Sequence, residues 1–167
     1  EILEEQAIDL VRPGSPSPPR VLVLAGNGNN GGDGFVVARL LREAFFAVHV
    51  VFRSDPERLP ADAGAAYRAY VAAGGATVPD PPPARPALIV DALFGIGLSR
   101  PLPPDMASLV TWANASRAPI LALDLPSGLD GDRPEIRGPA LRADLTVTET
   151  CVFRDGTGAA DSAVTAT

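Results

Sequence analysis

The 167-residue sequence contains no lysine, one cysteine and one histidine, and each shortage excludes a class of site. Cys151 has no partner for an internal disulfide and cannot build a cysteine-rich zinc centre, so nothing indicates an oxidising compartment. His49 lies within the apolar run 47–52, which favours a core or strand histidine over a catalytic one. Chemistry that needs histidine, thiolate or lysine is therefore disfavoured.

Positive charge and long apolar runs are also scarce. The chain has 14 basic and 20 acidic residues, a formal net charge of -6, whereas proteins that bind nucleic acid through phosphates present a basic surface. No run approaches the roughly 18–20 apolar residues that cross a bilayer, and the acidic segment 1–5 is not a signal peptide. We therefore expect a cytoplasmic protein without nucleic-acid or membrane partners. We expect one domain over residues 1–167, and because residue 1 is not Met the sequence can be a fragment truncated at either end.

Short apolar runs alternate with longer alanine- and leucine-rich stretches. The short runs are apolar on both faces, as in the strands of a parallel sheet that is covered on both sides. The predicted strands are 21–25, 46–52, 87–90, 120–123 and 145–148, and the predicted helices are 2–11, 33–44, 61–73 and 104–115. This alternation predicts βαβ units and a parallel sheet in an α/β domain.

A glycine- and asparagine-rich turn joins the first predicted strand to the helix after it. Gly26, Gly28 and Gly31 match the dinucleotide fingerprint G-x-G-x-x-G in its usual strand-to-helix context. Glycine lets the backbone approach a ligand closely, and a helix N-terminus offers free N–H groups to an anion. We expect Asp33 to cap this helix, where its carboxylate would repel a phosphate placed directly on it. The turn therefore predicts a site for a neutral or cationic group, a sugar hydroxyl, or a metal ion beside a phosphate.

Two aspartates stand at the ends of later strands. Asp91 ends the third predicted strand, and Asp124 ends the fourth, before a turn that contains Ser127. Because the carboxyl ends of parallel strands share one edge of the sheet, both should converge with the asparagine-rich turn. Oxygens of Asn30, Asp91 and Ser127 would suit a hard cation, and a buried carboxylate could act as acid and base. Serine hydrolysis is disfavoured because no histidine is placed to activate Ser127.

Four ordered motifs resemble the YjeF N-terminal domain family, the NAD(P)H-hydrate epimerases. They are GNNGGDG at 28–34, VDALFGIGL at 90–98, LDLPSGLD at 123–130 and RADLTVT at 142–148. The resemblance implies a three-layer Rossmann-like fold with a mostly parallel central sheet and helices on both faces. It also implies an isomerase of nicotinamide nucleotide repair, which interconverts the R and S epimers at C6 of hydrated NADH or NADPH. A partner dehydratase would then restore the cofactor.

The same resemblance implies the roles of individual residues. Asp124 is the expected acid and base at the reacting ring. The expected substrate contacts are Asn29, Asn30, Gly31, Gly32, Asp33, Gly95, Ile96, Gly97, Leu98, Ser99, Arg100, Pro101 and Asp124. One potassium ion per subunit is expected on Asn30, Asp91 and Ser127, and the expected assembly is a homodimer.

The sequence departs from this family after Thr148. The family usually continues with an aromatic residue and a Pro-Lys-x-Gly stretch, whereas here Phe153 stands where the lysine is expected. This leaves open a diverged member that keeps the pocket and acts as another isomerase or cyclase, or as a ligand-binding module. A conventional NAD(P)-dependent oxidoreductase is a third alternative, with Asp55 as the acidic residue after the second strand. The chain offers it no Tyr–Lys pair and no catalytic histidine.

Overall fold

The computed structural model describes residues 7, 10, 11, 18–96, 98, 100–129 and 138–148, and the backbone of 152–154. Within these ranges the strands form one sheet in the order β3-β2-β1-β4-β5-β6-β7. The strands are β1 Arg20–Ala25, β2 Ala47–Phe52, β3 Thr77–Val78, β4 Leu88–Ala92, β5 Ile120–Leu123, β6 Leu145–Val147 and β7 Val152–Arg154. The helices are α1 Asn29–Glu43, α2 Ala61–Ala72 and α3 Pro104–Ala115, with a short 3-10 helix at Pro56–Arg58.

The sheet is parallel from β3 through β6, and β7 adds to it antiparallel to β6. This confirms the predicted parallel sheet and all five predicted strands. The chain runs outward from β1 to β2 and β3 on one side, and from β4 to β5 and β6 on the other. The strand order therefore reverses between β1 and β4, and ligands of open α/β sheets bind at the carboxyl end of such a reversal.

Helices cover both faces of the sheet and create two hydrophobic cores. On one face α1 and α2 pack together, and the ring of Phe35 meets Phe52 and Tyr67 edge-on at centroid distances of 5.4 and 5.2 Å. On the other face α3 buries Leu109 and Val110. These layers confirm the three-layer, Rossmann-like α/β arrangement.

Helix α1 begins at Asn29, four residues before the start predicted for it at residue 33. Gly28 is its N-cap, in an extended conformation with φ -111° and ψ -165°, and Gly32 N–H donates to the Gly28 carbonyl at 3.2 Å. Asp33 therefore lies beyond the first turn, which contains no acidic residue. The expectation that Asp33 caps this helix is wrong. The N–H groups of the first helical turn have no partner within the helix and are available to a ligand.

Several other predictions concern the edges of the described chain. The predicted helix at 2–11 lies mostly outside the described residues, although Val11 N–H donates to the Ala7 carbonyl at 3.2 Å, as in an α-helix. Cys151 lies outside them. His49 belongs to β2, as expected for a strand histidine, and its side chain is exposed. None of the helices in the described ranges combines the length and apolarity that a membrane crossing requires.

Candidate functional site

A cleft of about 1150 Å³ opens at the carboxyl edge of the sheet, beside the reversal of strand order. It is formed by the turn after β1, the start of α1, the loop after β4 and the ends of β5 and β6. Its lining residues are Asn27, Gly28, Asn29, Asn30, Asp33, Val36, Val37, Leu93, Phe94, Gly95, Ile96, Leu98, Leu123, Asp124, Leu125, Pro126, Leu129, Thr146, Val147 and Thr148. The structure thus brings the asparagine-rich turn, the loop after β4 and Asp124 to one place.

The predicted substrate contacts divide into three groups. Those that line the cleft are Asn29, Asn30, Asp33, Gly95, Ile96, Leu98 and Asp124. Those that are described but do not line it are Gly31, Gly32, Arg100 and Pro101. Gly97 and Ser99 lie outside the described residues. Asn27, Gly28, Thr146 and Thr148 also line the cleft without having been predicted, although the glycine spacing pointed to the first two.

The glycines of the turn after β1 differ in how closely they are packed. A Cβ on Gly31 would overlap the carbonyl oxygen of Gly26, and a Cβ on Gly32 would lie 2.8 Å from Cα of Ala63 in α2. Real Cβ atoms do not approach other atoms this closely, so packing requires glycine at both positions. A Cβ on Gly28 would meet nothing within 4 Å. Gly28 is the turn glycine that lines the cleft, and a side chain there would face open space.

Asp91 forms a buried pair with Ser127. Its Oδ1 accepts hydrogen bonds from the Ser127 hydroxyl at 2.7 Å and from Leu93 N–H at 3.2 Å, and its Oδ2 accepts from Ser127 N–H at 2.7 Å. Phe94 N–H donates to Ser127 Oγ at 3.0 Å. Burial raises the pKa of Asp91 to about 6, because the loss of hydration outweighs the hydrogen bonds from Ser127 and Leu93 that lower it. The carboxylate is fully buried and does not line the cleft itself.

The side chain of Asn30 has buried polar atoms without partners. Neither its Oδ1 nor its Nδ2 forms a hydrogen bond, and both are inaccessible to solvent. Leaving a buried polar group unpaired costs about 1–3 kcal/mol, so such atoms indicate a ligand. The Asn30 amide, the Asp91 carboxylate and the Ser127 hydroxyl offer oxygen donors, which hard cations prefer. The described ranges contain no cluster of His, Cys, Asp and Glu that would hold a metal ion. The donors therefore fit an alkali cation better than a transition metal.

Asp124 follows β5 in a strained turn. Leu125 N–H donates to the Leu123 carbonyl at 2.9 Å, which closes a three-residue γ-turn around Asp124, whose φ is 68°. Asp124 N–H donates to the Val147 carbonyl of β6 at 2.8 Å. A γ-turn with positive φ is rare and strained, and such strain is concentrated at functional sites. The partly exposed carboxylate lines the cleft, and its Oδ2 accepts a hydrogen bond from Ile96 N–H at 2.8 Å.

Asp55 has a structural role. It is the N-cap of the 3-10 helix, and its side chain accepts a hydrogen bond from Glu57 N–H at 3.0 Å. It does not line the cleft. The oxidoreductase alternative loses support because its one candidate for a ribose contact is a capping residue.

Comparisons with known proteins agree with this geometry. The chain matches the family model described as YjeF-related protein N-terminus over residues 3–153. It is 46% identical over 149 residues to the NAD(P)H-hydrate epimerase of Bordetella pertussis, which covers 85% of this chain and 64% of that protein. It is 44% identical over 142 residues to the NAD(P)H-hydrate epimerase of Rhodobacter capsulatus, covering 83% and 66% respectively. The chain thus spans just under two thirds of the length of these relatives.

Two further relatives differ more in sequence or in length. A bifunctional NAD(P)H-hydrate repair enzyme, Nnr, of Salinibacter ruber is 43% identical over 145 residues, which cover 77% of this chain and 27% of that protein. The crystal structure of yeast ynu0 aligns with a TM-score of 0.73 at 24% sequence identity, covering 87% of this chain and 65% of that one. The second comparison shows that the two proteins share a fold.

Proposed function

Because the chain belongs to the YjeF-related N-terminal family, we propose that it is an NAD(P)H-hydrate epimerase, an isomerase that interconverts the R and S epimers of hydrated NADH and NADPH. The observation that carries this proposal is the Asp124 carboxylate, which lines a large cleft at the reversal of strand order. Sites for small molecules in α/β sheets commonly occupy such crevices. The names of the relatives from Bordetella and Rhodobacter support the same activity.

The proposed chemistry needs a single carboxyl group. Inversion at C6 requires one bond to this carbon to break and re-form. The C6 hydroxyl leaves as water when the carboxylic acid of Asp124 donates a proton to it, and the remaining positive charge is shared between C6 and the adjacent ring nitrogen. For inversion the planar cation turns its opposite face toward Asp124, where water adds to C6 and the Asp124 carboxylate takes a proton from that water. The same group is acid and then base, so no proton is consumed overall.

The substrate is proposed to lie between the turn after β1 and the loop after β4. The side chains of Asn29 and Asn30 and the free N–H groups of the first turn of α1 would contact its polar groups, and its phosphates would lie at that helix N-terminus. Ile96 and Leu98 offer apolar surface to the ring. Asp33 lies beyond the first turn and lines the same cleft, so its carboxylate is not the cap of this helix end.

One potassium ion is proposed on Asn30, Asp91 and Ser127. The unpaired buried atoms of Asn30 and the buried Asp91–Ser127 pair support this assignment. A bound cation would supply the positive charge that a buried carboxylate lacks. Thermal melting in equal concentrations of potassium chloride and tetramethylammonium chloride tests it: the wild type should melt higher in potassium. Asp91→Asn should abolish the difference, whereas the exposed control Asp62→Asn should keep it. Equal melting of the wild type in both salts would overturn the site.

The partner enzyme, the cellular location and the assembly of the protein are also part of the proposal. The Salinibacter relative is named a bifunctional repair enzyme. This name supports our proposal that the epimerase acts together with a second repair enzyme, a dehydratase. We place the protein in the cytoplasm as a homodimer, and sedimentation of the purified protein would test the assembly.

The activity is tested directly with one purified epimer of hydrated NADPH. The protein should convert it to a mixture of both epimers faster than the spontaneous reaction, as followed by NMR at C6. A rate equal to the spontaneous one would overturn the proposed function.

A further inference from the structure

In the loop after β4, backbone atoms of Gly95 and Ile96 hold the Asp124 carboxylate. Ile96 N–H donates to Asp124 Oδ2 at 2.8 Å. Gly95 lies so close to this oxygen that a Cβ built on it would overlap Oδ2 and lie 3.3 Å from Cγ. The carboxylate thus occupies the space that any side chain other than hydrogen would fill at position 95.

The hydrogen bond distinguishes the two carboxylate oxygens. Oδ2 accepts from the Ile96 N–H, and among the described residues of this loop no N–H donates to Oδ1. In a carboxylic acid the carbonyl oxygen accepts an N–H bond better than the hydroxyl oxygen does, so the bond from Ile96 N–H favours Oδ2 as the carbonyl oxygen. When Asp124 is a carboxylic acid, its proton therefore belongs on Oδ1. A hydrogen bond from an N–H group to a charged carboxylate is among the stronger ones in proteins, so in the ionised form the Ile96 N–H keeps the carboxylate in the same orientation.

The backbone of Asp124 makes the position sensitive to its neighbours. Its φ of 68° lies in the left-handed region, and its N–H is bonded to Val147 of β6. Strained backbone of this kind persists only where the surroundings over-determine it. The β6 contact fixes the main chain, and the contact with Ile96 fixes the side chain.

We propose that Gly95 is a positioning residue for Asp124: because it has no Cβ, Ile96 N–H can hold Oδ2, and the proton is exchanged with the substrate through Oδ1. This inference rests on the proposed function. It gives Gly95 a role through Asp124, in addition to the substrate contact that the sequence predicted.

Gly95→Ala tests the inference by kinetics. The added methyl group displaces the carboxylate, and a displacement of about 1 Å can reduce turnover roughly 100-fold. We expect kcat to fall by about that factor while KM changes less than about threefold, because the binding surface is retained. The matched control is Gly64→Ala in α2, where the Cβ would lie 3.2 Å from the flexible end of Arg68 and 3.9 Å from Leu59. This control should keep the wild-type kcat.

A second measurement does not depend on activity. In ¹H–¹⁵N NMR spectra, the Ile96 amide proton should shift upfield in Asp124→Gly, which removes the acceptor and tolerates the positive φ. It should shift likewise in Gly95→Ala and stay in place in Gly64→Ala. An Ile96 amide that is unmoved by Asp124→Gly would overturn the contact, even if Gly95→Ala failed to fold.

The outcomes separate this inference from the proposed function. An inactive wild type would overturn the proposed function, whatever the spectra show. An active wild type whose Gly95→Ala variant keeps its kcat, or loses only affinity for substrate, would overturn the positioning role alone.

Discussion

Asp91 in β4 and Asp124 just after the neighbouring strand β5 are held in opposite ways. Asp91 lies within β4, where it pairs in register with Ala122, is fully buried and accepts three hydrogen bonds. Asp124 lies one residue beyond β5, partly exposed, in a strained turn with one hydrogen bond to its carboxylate. The position of a carboxylate relative to its strand end thus separates a fully buried, hydrogen-bonded aspartate from one that lines the cleft.

The largest expected effect separates the two aspartates by activity. Asp124→Asn keeps the shape and tolerates the positive φ, yet it cannot donate and recover a proton. We expect epimerisation to slow by about 10²–10⁴-fold, the usual contribution of a general acid or base. The free energy of unfolding should change by less than about 1 kcal/mol, because the amide can still accept from Ile96. Full activity of this variant, measured by NMR at C6, would contradict the role of Asp124.

The next largest effect concerns stability, where we expect Asp91 to matter more than Asp124. Asp91→Ala leaves the Ser127 hydroxyl, Ser127 N–H and Leu93 N–H without their acceptor in a buried place. We expect the free energy of unfolding to fall by about 3 kcal/mol, since each unpaired buried donor costs about 1–3 kcal/mol and removal of a buried charge offsets part of the loss. Urea unfolding of both aspartate variants measures this. Equal losses at Asp91 and Asp124 would break the comparison.

The pH dependence of stability sharpens the comparison of Asp91 with Asp124 further. Because burial raises the pKa of Asp91 from 3.8 to about 6, the folded state disfavours the ionised form. Its contribution to stability is fully present below about pH 4 and is lost as pH rises through about 6. In potassium-free buffer we expect a loss on the order of 2 kcal/mol between pH 4 and 7 in the wild type relative to Asp91→Asn. Parallel stability profiles for the two proteins would count against the burial of an ionisable group at this position.

The smallest expected effect isolates the cost of a positive φ outside the cleft. Phe45 directly follows Ala44, the C-cap of α1, with φ 66° and is 87% exposed, and the N–H of its neighbour Phe46 donates to the Leu41 carbonyl at 3.0 Å. Glycine is the residue that this helix end favours. Phe45→Gly should therefore stabilise the protein by about 1 kcal/mol, whereas Phe45→Ala should change little. Thermal melting measures both, and destabilisation by glycine would show that the Phe45 ring has a stabilising contact.

The sequence predicted the sheet better than the start of α1. The strands β1, β2, β4 and β5 have four to six mostly apolar residues, whereas β3 and β7 have two and three residues, too few for a pattern. Residues 29–32 are asparagine and glycine, which have low helix propensity, so local preference argued against a helix there. Tertiary packing decides the matter, because the contacts of Gly31 and Gly32 hold this segment against the turn and α2.

The candidate site was predictable only as far as topology determines it. The shared edge of a parallel sheet brought Asp124 to the asparagine-rich turn, as expected from the strand ends. The burial of Asp91 and the contact between Gly95 and Asp124 depend on distances between segments far apart in sequence. A glycine in a loop motif looks the same whether it contacts a ligand or makes room for a carboxylate.

The close packing of α1 has a consequence for thermal unfolding and for the loss of activity on heating. A Cβ on Gly34 would lie 2.6 Å from Cβ of Ala92 in β4, and one on Gly32 would lie 2.8 Å from Cα of Ala63 in α2. The turn that lines the cleft is thus continuous with a helix seated directly on the sheet. Local opening of the turn would require α1 to separate from both neighbours, which is the unfolding of the core itself. The amide proton of Gly34, beyond the first turn of α1, should therefore exchange with solvent only as slowly as the whole domain unfolds, and heat should remove activity and tertiary structure together.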